Sequence, residues 1–228
     1  MRRIRLEGAP EIEVALRRSA RARRISLRLS GLDGRVTLTL PRFVPEAEAL
    51  AFLQEKEGWL RGHLDRRDAP VDVALGVSLP VEGHMLRVVA GRGRSVRLGD
   101  DEIAVPGAPE QVASRLQAYL KTRARDRLAA SSDRYAAALG LGYSRLTLRD
   151  TRSRWGSCTS RGALMYSWRL ILAPPEVLEY VAAHEVAHLQ EMNHSKAFWT
   201  LVERLYGDWS GPRDWLRRDG SGLHSFRF

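Results

Sequence analysis

Two histidines four residues apart, with a glutamate directly after the first, are the residues of this chain best suited to chemistry. His184 and His188 stand in the segment HEVAH. On a helix this spacing puts both rings on one face, where they can bind one metal ion, and Glu185 lies beside that ion rather than on it. Zinc held by three protein ligands keeps its fourth position for water, lowers the pKa of that water, and leaves a nearby carboxylate to take the proton. The segment therefore predicts a zinc-dependent hydrolase site with Glu185 as general base.

The third ligand must come from outside that helical turn, and we predict that it is His194. Asn193 precedes it, and asparagine readily takes a left-handed conformation that ends a helix, so the chain can turn back towards the metal. Ser195 then suits the N-cap of a second amphipathic helix over residues 196–206. The alternative is an ordinary amphipathic helix with surface histidines. A bare H-E-x-x-H motif also arises by chance, but the additional histidine makes coincidence less frequent.

The composition is typical of a soluble globular protein. Of the 228 residues, 44% are hydrophobic and 28% are charged, which is ordinary for a chain that buries a core. Cys158 is the single cysteine, so an intrachain disulfide framework is excluded. The N-terminal sequence has arginines but no apolar segment of a signal peptide, and no run approaches the roughly 18 apolar residues of a membrane span. We therefore expect a cytoplasmic protein without a membrane segment.

The chain is strongly basic, with a formal net charge of +10 carried almost entirely by arginine. Two arginine clusters stand out, the first being Arg17, Arg18, Arg21, Arg23 and Arg24, and the second Arg123, Arg125, Arg127 and Arg134. Guanidinium groups suit bidentate contact with phosphate or carboxylate, so one hypothesis is a surface for non-specific nucleic acid or acidic substrates. The alternative is a solvated surface in an arginine-rich chain. No aromatic residues interleave with these arginines, which does not favour a base-stacking platform. The oligomeric state is not predicted.

Residues 1–106 are predicted to form a mainly β N-terminal region with one helix. The alternating segments 25–29 and 35–40, joined by the turn GLDG at residues 31–34, predict a hairpin, and residues 45–63 have helical periodicity. Two further strand pairs are expected around residues 78–89 and 95–105. Pro106, Gly107 and Pro109 stop a strand and favour a helix start, so we predict a domain boundary there.

Residues 107–228 are predicted to form the metal-binding domain. A long helix over residues 110–139 is followed by strands at 145–149 and 163–172, and two prolines introduce the helix that carries HEVAH. The predicted fold is therefore α+β with a zincin-like core, in which a backing helix and a small sheet support the metal helix. A peptide can add to an exposed sheet edge, and residues 165–172 are the candidate edge strand. The alternative for this segment is a plain buried strand.

Three segments of the chain closely resemble one family. They are RWGSC at residues 154–158, LMYSWRLILAPPEVLEYV at 164–181 and HEVAHLQEMNHSKAFW at 184–199, and the likeness extends upstream over residues 17–29 and 35–60. Together they resemble the YgjP-like metallopeptidases, which are zincins similar to the SprT and WLM protease groups. The resemblance implies a zinc metallohydrolase acting on peptides or proteins, with His184, His188 and His194 as ligands and Glu185 as general base. Ser167 stands where the family is expected to carry asparagine.

The RWGSC segment has two interpretations. In the first, Trp155 walls the cleft, Arg154 contacts a substrate carboxylate and Cys158 approaches the metal as a blocking thiolate. In the second, Gly156 makes a tight turn pinned by a buried tryptophan, and the thiol is inert. The predicted substrate-binding residues are Arg154, Trp155 and Tyr166. Candidates for stabilising the oxyanion are Arg154, Tyr166 and Tyr206.

Three functions are therefore weighed. The first is a zinc peptidase. The second is a nucleic-acid-associated protease or module recruited by its basic surface. The third is a non-catalytic domain stabilised by zinc, which the motif disfavours because structural zinc sites usually fill all four positions and prefer cysteine.

Overall fold

The computed structural model describes residues 2–8, 10–30, 34–65 and 69–228. Backbone contacts divide the chain into an N-terminal unit, Met1–Ala69, and a C-terminal unit, Pro70–Phe228. Helices and small sheets occur in both, so the fold is mixed α+β as predicted. Within the described ranges, no helix has both the length and the apolar character needed to cross a membrane.

The N-terminal unit is a four-stranded sheet with two helices. Its elements are β1 Arg2–Leu6, β2 Ile12–Ser19, β3 Ser26–Leu29, β4 Val36–Pro41, α1 Glu46–Glu55 and α2 Glu57–Asp65. The strand order is β1-β2-β4-β3, in which β2 and β4 are parallel and the other pairs are antiparallel. Alternate residues of β2 and β4 are buried and pack in one core with Ala49, Leu53 and Leu60 of the helices. The apolar side chains that alternate along the strands and those on one face of the helices thus form one hydrophobic core.

Two of the predictions for this unit can be compared with the structure. The hairpin is confirmed, because β3 pairs antiparallel with β4 from Ser26 opposite Thr39 to Leu29 opposite Val36. Its predicted turn falls mostly on residues 31–33, which lie outside the described residues. The single predicted helix over residues 45–63 is instead two helices that meet at Lys56, whose N–H still donates to the Phe52 carbonyl.

The C-terminal unit begins with two more sheets. The first short strand, β5 Val71–Asp72, pairs in parallel with the last strand of the chain, β13 Phe226–Arg227. The strands of the next sheet are β6 Ser78–Val81, β7 His84–Gly91, β8 Arg97–Leu98 and β9 Glu102–Pro106, in the order β6-β7-β9-β8. This sheet shares one hydrophobic core with the helices that follow it. The backbone contacts therefore divide the chain between residues 69 and 70, whereas the sequence predicted a boundary between residues 106 and 107. Prolines and a glycine show where a strand or helix ends, but they do not show which elements share a hydrophobic core.

The predicted backing helix is α3 Val112–Leu139, preceded by a 3-10 turn at Pro109–Gln111. Gly140 ends it in the left-handed conformation, with φ of 65°, which glycine adopts without steric cost. Leu116, Leu120 and Leu128 of its buried face are fully enclosed. The helix packs against α4 Pro175–Ala187, the helix that contains most of the HEVAH segment. The chain closes with α5 Lys196–Tyr206, α6 Ser210–Arg218 and a 3-10 turn at Gly220–His224.

The small sheet beside these helices contains β10 Arg145–Arg149, β11 Gly156–Cys158 and β12 Ala163–Ser167. Its order is β10-β12-β11, so β12 is central. The prediction of an edge strand at residues 165–172 is therefore wrong: the strand ends at Ser167 and residues Trp168–Leu172 form a 3-10 helix. An unbroken apolar run does not distinguish a strand from a buried helical turn.

The buried Arg169 holds this 3-10 helix to distant parts of the chain. Its guanidinium makes two hydrogen bonds to the Asp150 carboxylate, at 2.7 and 3.1 Å. It also donates to the backbone carbonyls of Leu223 and Phe226, at 2.9 and 3.0 Å. A charge taken out of water is tolerated only when it is paired and hydrogen-bonded, and these partners are distant in sequence.

Candidate metal centre

The structure brings together the three predicted ligands, His184, His188 and His194. Their ligand atoms all lie within 4.8 Å of one another, and in the described part of the chain no other group of histidine, cysteine or carboxylate side chains is gathered in this way. Nε2 of His184 lies 3.1 Å from Nε2 of His194. Two zinc–nitrogen bonds of about 2.0–2.1 Å at a tetrahedral angle would separate the nitrogens by about 3.3 Å. The separation of these two nitrogens therefore suits a shared tetrahedral metal ion.

Local structure positions each imidazole. His184 lies in the last turn of α4 and His188 is the C-cap residue, so the four-residue spacing acts as predicted. The chain reverses at residues 188–191, where Nδ1 of His188 lies 2.9 Å from the Glu191 carbonyl. A proton on Nδ1 that is donated to this carbonyl leaves the Nε2 lone pair for a metal. By contrast, Nδ1 of His184 is buried without a hydrogen-bond partner among the described residues.

The turn that carries His194 differs in detail from the prediction. Asn193 is not left-handed, since Glu82 is the one non-glycine residue with a positive φ in the described chain. Instead, the Asn193 side chain accepts a hydrogen bond from the Ser195 N–H at 3.1 Å. Ser195 is the N-cap of α5 as predicted, and its hydroxyl accepts from the Phe198 N–H. Side-chain capping rather than a left-handed residue therefore directs the chain back to the metal helix.

A single buried ring supports all three imidazoles. The centroid of Phe198 lies 4.9 Å from that of His184, 4.5 Å from that of His188 and 4.8 Å from that of His194. Phe198 has no solvent exposure, and Trp199 stacks on His194 from the next position of α5. The sequence predicted an amphipathic helix over residues 196–206, but not that Phe198 contacts all three imidazoles.

Burial favours the neutral form of two of these imidazoles, those of His184 and His188. It lowers the pKa of His184 to about 3, and the neighbouring His188, His194 and Arg213 act in the same direction. Burial also lowers the pKa of His188, assisted by His194 and opposed by its hydrogen bond to the Glu191 carbonyl. Metals bind neutral imidazole, so at neutral pH neither ligand has to lose a proton first.

Glu185 lies on the side of α4 that faces the edge strand β11. A Cβ atom added at Gly156 would come within 2.5 Å of both Cγ and Oε1 of Glu185, so the two segments are in direct contact. Burial raises the pKa of the Glu185 carboxyl to about 8, while the charge of Arg154 works in the opposite direction. In one interpretation of the sequence, Gly156 makes a tight turn. It is instead a strand residue whose missing side chain makes room for the glutamate, as an isolated glycine in a strand can indicate.

Gly156→Ala is therefore expected to displace Glu185. The added methyl group meets Cγ and the carboxylate of Glu185, so the unfolding free energy should fall by about 1–3 kcal/mol and the turnover rate should fall with it. Gly142→Ala is the matched control, because a Cβ atom there meets nothing within 4 Å and φ is not positive. Urea unfolding and initial cleavage rates measure both effects. Equal behaviour of the two variants would contradict the tight contact.

The other predicted residues of RWGSC have separate places. Arg154 is exposed, and its charge acts on Glu185. Trp155 is half-buried and stacks on His224, with ring centroids 5.3 Å apart. It also packs against Gly220, where a Cβ atom would lie 3.1 Å from the indole. Trp155 thus fastens the edge strand to the C-terminal 3-10 turn.

Tyr166 and Tyr206 are engaged in the scaffold. Tyr166 has no solvent exposure, and its hydroxyl lies 3.0 Å from that of Ser132 on the backing helix. A substrate contact by Tyr166 therefore does not agree with the structure, because β12 is central and turns this side chain into the core. The Tyr206 hydroxyl donates to the Glu176 carbonyl at 2.9 Å. Ser167 is fully buried, and its hydroxyl has no partner among the described residues.

The surroundings of Cys158 agree with the second interpretation, in which its thiol is inert. Its thiol lies 3.4 Å from the Thr159 carbonyl, and the sulfur is not part of the histidine group. Burial, together with the charge of Glu185, raises the pKa of this thiol to about 11. Cys158 is therefore a thiol at neutral pH. Blocking a metal would require a thiolate.

Comparison with protein families identifies the family of this chain. Residues 23–219 match the family described as "YgjP-like, metallopeptidase domain". The chain belongs to the YgjP-like family. None of the curated proteins compared with the chain matches it. Among solved structures, the metallopeptidase zymogen of Pyrococcus abyssi abylysin is similar at 19% identity and a TM-score of 0.35, over 40% of this chain and 90% of that one.

Membership in the YgjP-like family agrees with the geometry. The matched region includes the three gathered histidines and Glu185. The chain is accordingly a metallopeptidase-family protein with a candidate metal centre at the junction of α4 and α5. Gly156 and Phe198 are the two contributors to this centre whose roles did not follow from the sequence analysis.

Proposed function

We propose that this protein is a zinc-dependent peptidase in which His184, His188 and His194 hold the metal and Glu185 is the general base. The gathering of three imidazoles beside a buried carboxylate is the observation that carries the proposal. Zinc prefers nitrogen and sulfur ligands in tetrahedral geometry, and catalytic sites keep three protein ligands. The donor set and the close approach of the two Nε2 atoms fit that preference. When bound, zinc supplies a Lewis acid that polarises a carbonyl and makes water more acidic.

Glu185 moves the protons in this mechanism. Its carboxylate takes a proton from the attacking water and delivers it to the amide nitrogen of the leaving peptide. The raised pKa of Glu185 would leave the isolated carboxyl largely protonated at neutral pH. Glu185 would lose this proton more readily if the adjacent histidines held a cation, because an opposite charge stabilises the ionised form. Metal binding and activation of the base are thus coupled in this proposal.

The edge strand β11 is proposed to bind the peptide. The Ser167 N–H donates to the Trp155 carbonyl and the Thr159 N–H donates to the Ala163 carbonyl, so these residues face β12. Backbone groups alternate in an antiparallel pair, and those of Gly156 and Cys158 therefore face away from β12. An extended peptide can add to this edge by main-chain hydrogen bonds and so run beside Glu185. This assignment replaces the edge strand expected from the sequence.

Arg154 is proposed to act on the substrate as well. Its guanidinium is exposed two positions before Gly156 and acts electrostatically on Glu185. From there it can contact a carbonyl or carboxylate of the bound peptide. A cationic donor at this place can stabilise the negative charge that develops on the substrate. The zincin-like layout of backing helix, small sheet and metal helix remains part of this proposal.

Metal removal tests the proposed activity. We expect purified protein to carry about one zinc ion per chain, because a preformed three-histidine site binds zinc tightly. Cleavage of an unfolded protein substrate should stop after chelation and return when zinc is restored. Mass spectrometry of the metal and gel analysis of the products provide the two measurements. Undiminished cleavage by protein proven free of metal would overturn the proposal.

A further inference from the structure

The arginines of residues 2–45 fall into two groups. Those of β1 each have a carboxylate partner: Arg2 pairs with Glu46 at 2.9 Å, Arg3 with Glu13 at 3.0 Å and Arg5 with Glu11 at 3.3 Å. The segment of residues 14–45 is different, because it contains eight arginines and a single acidic residue. Positive charge is therefore neutralised at the first strand and accumulates at the others.

Most arginines of this segment are exposed and form no ion pair within the part of the chain that the structure describes. We call this group the arginine face: Arg17, Arg21, Arg23, Arg24, Arg28 and Arg42. Arg18 is not a member, since its guanidinium donates to the carbonyls of Arg42 and Val44 at 3.2 and 3.0 Å. Arg18 thereby fastens the loop after β4 to the end of β2.

The strand register places two members of the arginine face on the outer side of the sheet. Thr39 of β4 lies between Arg17 of β2 and Ser26 of β3. In the next row, Thr37 lies between Ala15 and Arg28. The opposite side of the sheet carries the buried valines and leucines of the core. The outer side is therefore a shallow surface of short side chains with arginines at its margins.

An exposed aromatic ring stands beside these arginines. Phe43 follows Arg42 in the loop after β4 and has 80% of its surface exposed. The neighbouring carbonyls of Arg42 and Val44 are the ones that Arg18 binds, so this loop is held at the end of β2. The parallel strands β2 and β4 end side by side, since Ser19 is opposite Pro41. The connection that follows β2 therefore starts at the same end of the sheet, and it contains Arg21, Arg23 and Arg24. The sequence analysis found no aromatic residue between the clustered arginines, but the fold supplies one.

We propose that the arginine face and Phe43 bind single-stranded nucleic acid. Guanidinium groups bind phosphate oxygens in bidentate geometry, and the hydroxyls of Ser26, Thr37 and Thr39 can donate to the same backbone. An exposed ring next to such a surface can stack on an unpaired base, which a duplex does not offer. A membrane surface fits less well, since interfacial binding needs a broad apolar face and a single phenylalanine does not provide one. This proposal goes beyond the peptidase activity and does not depend on it.

Matched charge variants of the full chain test the proposal. In one, Arg17, Arg21 and Arg24 are replaced by glutamine, and in the control the same change is made at Arg2, Arg3 and Arg5. Binding of a labelled oligo-dT is measured by fluorescence anisotropy over a range of salt concentrations. Each lost phosphate contact lowers the slope of log affinity against log salt by about 0.7, so the first variant should lose about 2 of that slope. The control should keep it. Equal losses in both variants, or no binding by the wild type at low salt, would overturn the proposal.

Phe43→Ala separates stacking from charge. We expect roughly tenfold weaker binding of the oligonucleotide with an unchanged salt slope, because one base–aromatic contact is lost and no phosphate contact. A blunt duplex should bind the wild type more weakly than oligo-dT and should not respond to this substitution. Two results would contradict the proposal: identical oligonucleotide affinity of Phe43→Ala and wild type, or binding of phosphatidylserine vesicles in preference to the oligonucleotide.

Discussion

Glu185→Gln should lower the rate of peptide cleavage by roughly a hundredfold to ten-thousandfold, because the amide cannot accept the proton of the attacking water. The substitution keeps the length and shape of a side chain that packs directly against Gly156, so the fold should be retained. It also leaves His184, His188 and His194 unchanged, so metal content should stay the same. Initial rates on an unfolded protein substrate, together with metal analysis of the same samples, measure the effect.

Two controls make this result specific to Glu185. A contaminating protease is the main source of error, so the variant and the wild type are purified in parallel and each is assayed with and without a chelator. Glu191→Gln provides a matched change in the turn after the metal helix, where the carbonyl rather than the carboxylate of Glu191 contacts His188. Equal cleavage by wild type and Glu185→Gln would show that another group is the base.

His194→Ala should reduce zinc affinity by more than about a hundredfold, since removal of a ligand costs at least as much as removal of its outer partners. The side chain is exposed, so its loss should leave the core intact. His184 and His188 alone give two nitrogen ligands from one helix, which is too few for a stable catalytic site. Competition against a chromophoric chelator measures the affinity.

His84→Ala is the matched control for this prediction, because His84 is an exposed histidine in a strand of the same unit. It should bind zinc as the wild type does. Circular dichroism of both variants checks that the helices persist. If His194→Ala retained wild-type affinity, the third ligand would have to lie elsewhere and the proposed tetrahedral site would be wrong.

The sequence by itself determined the parts of this protein that depend on short-range regularities. The four-residue spacing of His184 and His188 defines one face of a helix, and a serine before an amphipathic segment marks where the next helix begins. The extent of α3 followed from apolar periodicity over residues 110–139. The three histidines could be proposed as one site because they all lie within eleven residues of chain, residues 184–194, and the structure gathers them there.

Only the tertiary structure decided which elements lie beside the site and which surfaces stay open. Residues 156–158 became the edge of the small sheet because Tyr166 and its neighbours pair on both sides, a choice set by contacts far apart in sequence. Gly156 makes room for Glu185 because α4 packs against that edge. Similarly, the arginines of β1 gained carboxylate partners through strand pairing and helix packing, while those of the arginine face have none among the residues that the structure describes. Neither periodicity nor composition reports such long-range neighbours, because both describe only a residue's surroundings along the chain.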